Sequence, residues 1–205
     1  KPRELDLDRE VAIKVLSPAV RNVEASQSNT GSVEALAIRF EREAKMISNL
    51  RSPYTVTMYE YGRTDQDLLY MVLEYIDGVT LNDAETPMEP KRVAKILKQV
   101  LKSLHEAHSA GMLHRDLKPA NIMVYEHLGE NDQVKLLDFG IAKLIGESER
   151  EADRQSNQQD LTGDATLLGT PRYMAPEQIR GEEVGPGRDI YSLGHVIYEL
   201  LVGEK

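Results

Sequence analysis

Between Gly111 and Gly140 the chain runs through His114-Arg115-Asp116-Leu117-Lys118-Pro119-Ala120-Asn121 and Ile122-Met123-Val124. Val134-Lys135-Leu136-Leu137 and Asp138-Phe139 then complete the stretch. The two apolar runs, set between polar loops, read as short buried strands, and the helical run before them ends at Gly111. A chain patterned this way must hang its polar loops on a rigid core. Asp116 and Asn121 lie five residues apart on the first loop, and Asp138 follows a strand 22 residues after Asp116, so all three can converge on one small volume. Asp138 and Asn121 offer hard oxygen ligands of the kind that magnesium accepts alongside water and phosphate oxygens. Asp116 can take the proton of an attacking hydroxyl. Such a set suits phosphoryl transfer, where catalysis is positioning plus charge neutralisation.

Upstream, Arg9-Glu10-Val11-Ala12-Ile13-Lys14-Val15-Leu16 is an almost continuous apolar run and predicts a strand buried on both faces, with Lys14 inside it. A lysine there calls for an anion, and Ala12 on the same face leaves room beside it for a flat ligand. From about Val33 to Leu50 the spacing of Leu36, Phe40, Glu43, Ile47 and Leu50 predicts one face of a helix. Glu43 then sits on the apolar stripe, where a carboxylate needs a partner; Lys14 is the natural one. The polar stretch 17–32 between them reads as an inserted loop.

Residues 54–62 and 68–76 predict a strand pair around the turn Arg63-Thr64-Asp65-Gln66-Asp67. Asp77-Gly78 turns the chain into a second, mainly helical part. Val93, Leu97, Val100 and Leu104 stripe the next helix, on which His105 and His108 are expected at the surface. After Gly140, residues 146–166 are hydrophilic and acidic, with Thr162 and Thr166 near the end, and Gly169-Thr170-Pro171-Arg172-Tyr173-Met174-Ala175-Pro176-Glu177 follows. Asp189 opens an apolar segment through Leu201 that predicts a buried helix capped by that aspartate.

Composition excludes other classes of protein. A formal net charge of −9 argues against nucleic acid as the partner, since phosphate backbones need clustered Lys and Arg. With no cysteine there is neither a disulfide nor a thiolate metal site. No apolar run approaches a membrane span, so the expected location is cytoplasmic, with any anchor outside these residues.

Taken in order, these motifs resemble the eukaryotic-type (Hanks-type) protein serine/threonine kinase domain, in a bacterial style. The resemblance implies an α+β, two-lobed fold: a small antiparallel β lobe with one helix over residues 1–76, and a larger, mainly helical lobe over 77–205. It implies ATP-dependent phosphorylation of serine or threonine on protein substrates, with Mg2+ or Mn2+ and with self-phosphorylation in trans. Asp116 is the implied base, Asn121 and Asp138 the metal ligands, and Lys14 with Glu43 the phosphate-holding pair. Lys118 and Thr170 contact the catalytic aspartate. Ala12, Leu73, Glu74, Ile76 and Met123 surround the adenine. Thr162 and Thr166 are the implied phosphosites, with Arg39, Arg115 and Lys143 as their basic pocket. Glu177 and Asp189 are structural, Asp189 bracing the His114–Asn121 loop.

The chain departs from that pattern at both ends. Its first glycine is Gly31, beyond Lys14, so the glycine-rich loop and the first two strands are expected to be missing, as are the later helices of the large lobe. Weak turnover by these residues alone is the expectation. A non-catalytic pseudokinase-like binding module and a small-molecule phosphotransferase are the competing readings. The intact Lys14, Glu43, Asp116, Asn121 and Asp138 oppose the first, and the peptide-docking motifs at 169–177 oppose the second.

Overall fold

A computed structural model describes residues 3–4, 9–16, 30–66, 68–139, 171–180, 182 and 185–204. Two compact units emerge, one of Lys1–Leu50 with Val56–Tyr75 and one of Arg51–Thr55 with Ile76–Lys205. Thr162, Thr166, Thr170 and Lys143, together with the 17–29 part of the inserted loop, lie outside the described residues.

The first unit is a four-stranded antiparallel sheet in the order β1-β2-β4-β3, with β1 at Arg3–Glu4, β2 at Arg9–Leu16, β3 at Met58–Arg63 and β4 at Leu69–Glu74. No strand is expected before Arg9 from the sequence, yet β1 pairs with β2 through Arg3↔Glu10 and Glu4↔Arg9. Two residues are too few to show an alternation. The β3–β4 turn is closed by the Thr64 hydroxyl, which accepts the N–H groups of Gln66 at 3.3 Å and Leu68 at 3.1 Å.

Helix α1, Thr30–Ser48, packs on β3 and β4. Its buried stripe is Ala37, Phe40, Ala44 and Ile47, so Glu43 flanks the stripe instead of lying within it. On β2, Lys14 and Leu16 share a face with the buried Met71 and Leu69 of β4, while Ile13 and Val15 stand opposite Val72 and Tyr70 on the other face. Val11 is 3% exposed, whereas Ile13 and Val15 are 50% and 53% exposed, which corrects the expectation of a strand buried on both faces. Lys14 is half-buried on β2.

The second unit is built on a three-stranded antiparallel sheet, β5-β6-β7, from Gly78–Thr80, Ile122–His127 and Glu130–Leu136. Strand β5 is a further element too short for its pattern to announce. Gly78 suits it, because a Cβ there would fall 2.5 Å from the Val124 carbonyl oxygen of β6. Helix α2, Pro90–Ser109, begins on a proline, whose missing N–H costs nothing in a first turn. It buries Val93, Ile96, Val100, Leu104 and Ala107 and lies on β7.

Helix α2 ends in a left-handed cap: Gly111 has φ 74°, and the Met112 N–H reaches back to the Ala107 carbonyl at 2.9 Å. Gly111→Ala is therefore expected to destabilise the fold by about 1 kcal/mol through the left-handed backbone alone, read as a shift of the urea midpoint. The short α3, Pro176–Arg180, and α4, Gly187–Val202, follow. Helix α4 packs against α2. It is not buried all round among the described residues, since Ile190, Tyr191, Tyr198, Leu201 and Val202 are 38–55% exposed.

Candidate active site

Register does the first work of assembly. Strands β6 and β7 pair with Ile122 opposite Leu136, so the residue before β6 meets the residue after β7. The Leu137 N–H accordingly donates to the Asn121 carbonyl at 2.8 Å. This places Asn121 and Asp138 at the same end of one hairpin. Asp138 has φ 51°, a left-handed conformation unusual for aspartate, and Phe139 beyond it is 5% exposed.

The first loop makes a tight turn. The Asp116 N–H donates to the His114 carbonyl at 2.8 Å, across Arg115 at φ 65°. Backbone of this kind persists only where its surroundings over-determine it. Here the surroundings are Arg188 and Asp189 in the first turn of α4, each 1% exposed. The Asp189 carboxylate accepts the N–H of His114 at 2.8 Å and that of Arg115 at 3.0 Å, while Arg188 donates to the Arg115 carbonyl at 3.1 Å.

Asp189 thus does not cap its helix: Gly187 is the first helical residue, and the aspartate's side chain is spent on the loop. It also lies 2.8 Å from His108 Nε2, so His108 is not the plain surface residue expected from its helix position. Arg188 carried no signal as a lone arginine before an apolar run. His105 is exposed, and His195 stacks near Tyr191 at 5.0 Å within α4.

His114 is fully buried, its ring 4.9 Å from that of Phe139. Its Nε2 lies 2.8 Å from the Leu137 carbonyl and must donate, which leaves Nδ1 as an acceptor facing the Asp116 N–H at 3.4 Å. Burial pushes its pKa below the ordinary 6.5, against the pull of Asp189 and the Leu137 carbonyl. The folded state therefore resists a proton that the unfolded chain binds, so His114 makes stability fall as pH drops below about 6.5. The slope expected from this one group is up to about 1.4 kcal/mol per pH unit, measurable by urea unfolding between pH 7 and pH 5.

Around Asp116 the polar groups converge. Lys118 Nζ is 2.9 Å from Asp116 Oδ2, and Asn121 Nδ2 donates to the Asp116 carbonyl at 2.7 Å and to Oδ2 at 3.2 Å. Asn121 is 5% exposed, and using its nitrogen on Asp116 orients its amide oxygen. A small gap, about the size of one water, lies beside Asp116, walled by Leu117, Tyr173, Met174 and Gln178.

Tyr173 is held by α4. The Ser192 hydroxyl donates to the Tyr173 carbonyl at 2.6 Å, and the Tyr173 hydroxyl donates to Glu199 at 2.9–3.0 Å. Arg172 closes the cluster at 3.0 Å from Glu199. Desolvation, then the Glu199 hydrogen bond, push the Tyr173 phenol up to about 12. Glu177 is half-buried in the first turn of α3.

In the first unit, Leu73 pairs with Ala12 across β2 and β4. The Glu74 carboxylate accepts the Thr57 N–H at 2.6 Å, and its own N–H donates to the Thr57 carbonyl at 2.9 Å. Glu43 and Arg39 are half-buried on α1, and Met123 is half-buried on β6 of the second unit.

Antiparallel sheets backed by helices, and two loops that bring an aspartate, an amide and a second aspartate to one hairpin end, are the architecture of a protein kinase. Residues 3–205 match the model of the protein kinase domain, and the chain belongs to that family. It is 38% identical over 206 residues to the serine/threonine-protein kinase pkn3 of Myxococcus xanthus, covering 99% of this chain and 35% of that protein. To PknB of Mycobacterium tuberculosis it is 38% identical over 208 residues, covering 98% and 30%.

The chain thus spans about a third of the length of these curated relatives. Among solved structures, the PpkA-294 apo form superimposes with TM-score 0.74 at 25% identity, covering 98% of this chain and 69% of that one. The Mycobacterium tuberculosis PknI kinase domain gives 0.65 at 26%, covering 94% and 64%. Protein kinases as a family use ATP with a divalent metal ion and act on proteins.

Proposed function

We propose that the protein carrying this chain phosphorylates serine and threonine hydroxyls of protein substrates with ATP. The observation that carries this reading is the Asp116 carboxylate, held by Lys118 and Asn121 on a clamped turn. A substrate hydroxyl brought to that carboxylate meets Asp116 as proton acceptor, and Lys118 offsets the negative charge that gathers there.

The donor set fits magnesium. No group of three or more His, Cys, Asp and Glu side chains poised for a metal exists among the described residues, whereas the Asn121 amide oxygen and the Asp138 carboxylate stand at one hairpin end. Magnesium is held by one or two protein oxygens together with substrate phosphates. When bound, it supplies charge neutralisation on the phosphates; Mn2+ has the same preference for oxygen and serves as a substitute.

The remaining assignments follow the family pattern. Lys14, paired with Glu43, holds phosphate oxygens. Ala12, Leu73, Glu74, Ile76 and Met123 take the adenine, with residues 1–76 and 77–205 as the two lobes. Thr170 joins Lys118 at Asp116. Thr162 or Thr166, phosphorylated in trans by a second copy, is received by Arg39, Arg115 and Lys143. Glu177 is structural. The net charge of −9 disfavours nucleic acid, and no described helix is long and apolar enough to cross a membrane, in keeping with a cytoplasmic kinase unit.

The test is transfer of labelled γ-phosphate by the whole protein to a serine/threonine-rich protein, with Mg2+ and Mn2+ compared. Phosphoserine or phosphothreonine, lost in Asp138→Ala, is the expected result. Absence of transfer, or label on tyrosine only, overturns the reading.

A further inference from the structure

The short segment Arg51–Thr55, between α1 and β3, belongs to the second unit and is held within it by a dense set of polar contacts. Ser52-Pro53-Tyr54-Thr55 forms a β-turn closed by the Thr55 N–H on the Ser52 carbonyl at 3.1 Å, with proline at its second position and the Ser52 hydroxyl accepting the Tyr54 N–H at 3.3 Å. Glu106, on α2, grips the turn's entrance: one carboxylate oxygen accepts the Arg51 N–H and the other the Ser52 N–H, both at 2.7 Å. At its exit the Thr55 hydroxyl meets that of Ser103 at 2.6 Å, with both residues buried, and the buried Lys135 reaches the Thr55 carbonyl at 3.4 Å. Neither the site nor the hydrophobic core accounts for a carboxylate spent on two consecutive backbone N–H groups.

The turn's other side faces β7. The Leu136 N–H donates to the Tyr54 carbonyl at 2.7 Å, and Thr55 and Leu136 form an isolated parallel bridge. Leu136 is the last residue of β7. The next residue has its N–H on Asn121 and its carbonyl on His114, and the one after is Asp138 in its left-handed conformation. The backbone leading into Asp138 is therefore fixed from three sides: the β6 hairpin end, the His114 loop and the Arg51–Thr55 turn.

We propose that Glu106 is a positioning residue for Asp138, acting through this turn. Its carboxylate sets the Tyr54 carbonyl, the Tyr54 carbonyl sets Leu136, and Leu136 sets the direction in which the chain presents the Asp138 carboxylate to the metal. The inference rests on Asp138 being the metal ligand of a kinase, as argued above. Both Glu106 carboxylate oxygens are spent on backbone N–H groups of the turn. Loss of Glu106 therefore weakens metal use without removing any catalytic group.

Two measurements on the whole protein decide it. In the first, amide hydrogen exchange is followed at Leu136. Glu106→Gln removes a charge-assisted acceptor from the turn and is expected to speed exchange at Leu136 about tenfold or more, with Val134, whose N–H is held by Gln99 at 3.1 Å, unchanged. Unchanged exchange at Leu136 overturns the proposal, whether or not the protein is an active kinase. In the second, the magnesium concentration for half-maximal activity is expected to rise about tenfold in Glu106→Gln, while kcat at saturating magnesium stays within about twofold.

Thr55→Val, which keeps the side-chain size and loses the contact to Ser103, is expected to shift the magnesium curve in the same direction. It stands in for Glu106→Gln should that variant fail to fold. A fall in kcat with no shift of the magnesium curve would mark a merely structural role and overturn the proposal. Lack of any transfer by the wild-type protein would count against the kinase reading alone, because the exchange measurement does not depend on it.

Discussion

Asp189→Ala is expected to lower stability by about 3–5 kcal/mol, the range for breaking a buried charged cluster. The reason is the number of donors it abandons. The N–H groups of His114 and Arg115 and the Nε2 of His108 all converge on this one carboxylate, which is 1% exposed. Water cannot replace it without opening the junction of α2 and α4.

The melting temperature should drop by roughly 10 °C for a domain of this size. Asp189→Asn, which keeps one acceptor oxygen, should lose about half as much free energy. Thermal melts of the two variants check this, and equal, small losses in both would show that the carboxylate is not what holds the turn. Since the same contacts enforce φ 65° at Arg115, the surviving folded protein should also turn over more slowly.

Asp116→Asn carries the largest expected effect on activity, a fall in kcat of about 10²–10⁴-fold, the usual range for a positioned proton acceptor. The amide keeps the shape and the contact with Asn121 but removes the basic oxygen and the counter-charge of Lys118. Because the role proposed for Asp116 is toward the acceptor hydroxyl and not the nucleotide, the KM for ATP should stay within about threefold. Initial-rate kinetics at several ATP concentrations separate these two quantities. A variant with unimpaired kcat would remove Asp116 from the role of base.

These expectations rest on residues whose importance was uneven in the sequence. The Asp116, Asn121 and Asp138 set was legible, because short apolar runs flanked by acids leave few places for those acids to go, and strand β2 matches its apolar run residue for residue. Elements of two or three residues, β1 and β5, were not legible, since no periodicity can be seen over so short a span. The exposure of Ile13 and Val15 was missed for another reason. Strand pattern says how a side chain alternates, while burial is decided by which face of the sheet is covered.

Most instructive are His108, Arg188 and Glu106. Each is a polar residue whose partner lies 50 or more residues away in sequence, and each acts on backbone groups or on another residue that does. Backbone acceptors and donors leave no trace in side-chain identity, so a residue that recruits them looks like any other charge on a helix. Asp189 sat between the two cases: its place at the head of an apolar helix suggested a cap, and only its geometry shows a carboxylate turned away from its own helix.

The β6–β7 hairpin carries a consequence for how such sites diversify. Asn121 and Asp138 are brought together by the pairing Ile122↔Leu136 at the hairpin's base, while its far end is a turn at Leu128 and Gly129, where Leu128 is 91% exposed. Lengthening both strands by equal steps would move that turn outward and leave the base as it is. The distance along the chain between the two loops is thus a free variable of the architecture, and what is inherited is a register. Two sequences with quite different gaps between these loops can carry one geometry, and the register shift between Tyr125 and His127 shows that even an unequal step is taken up away from the base.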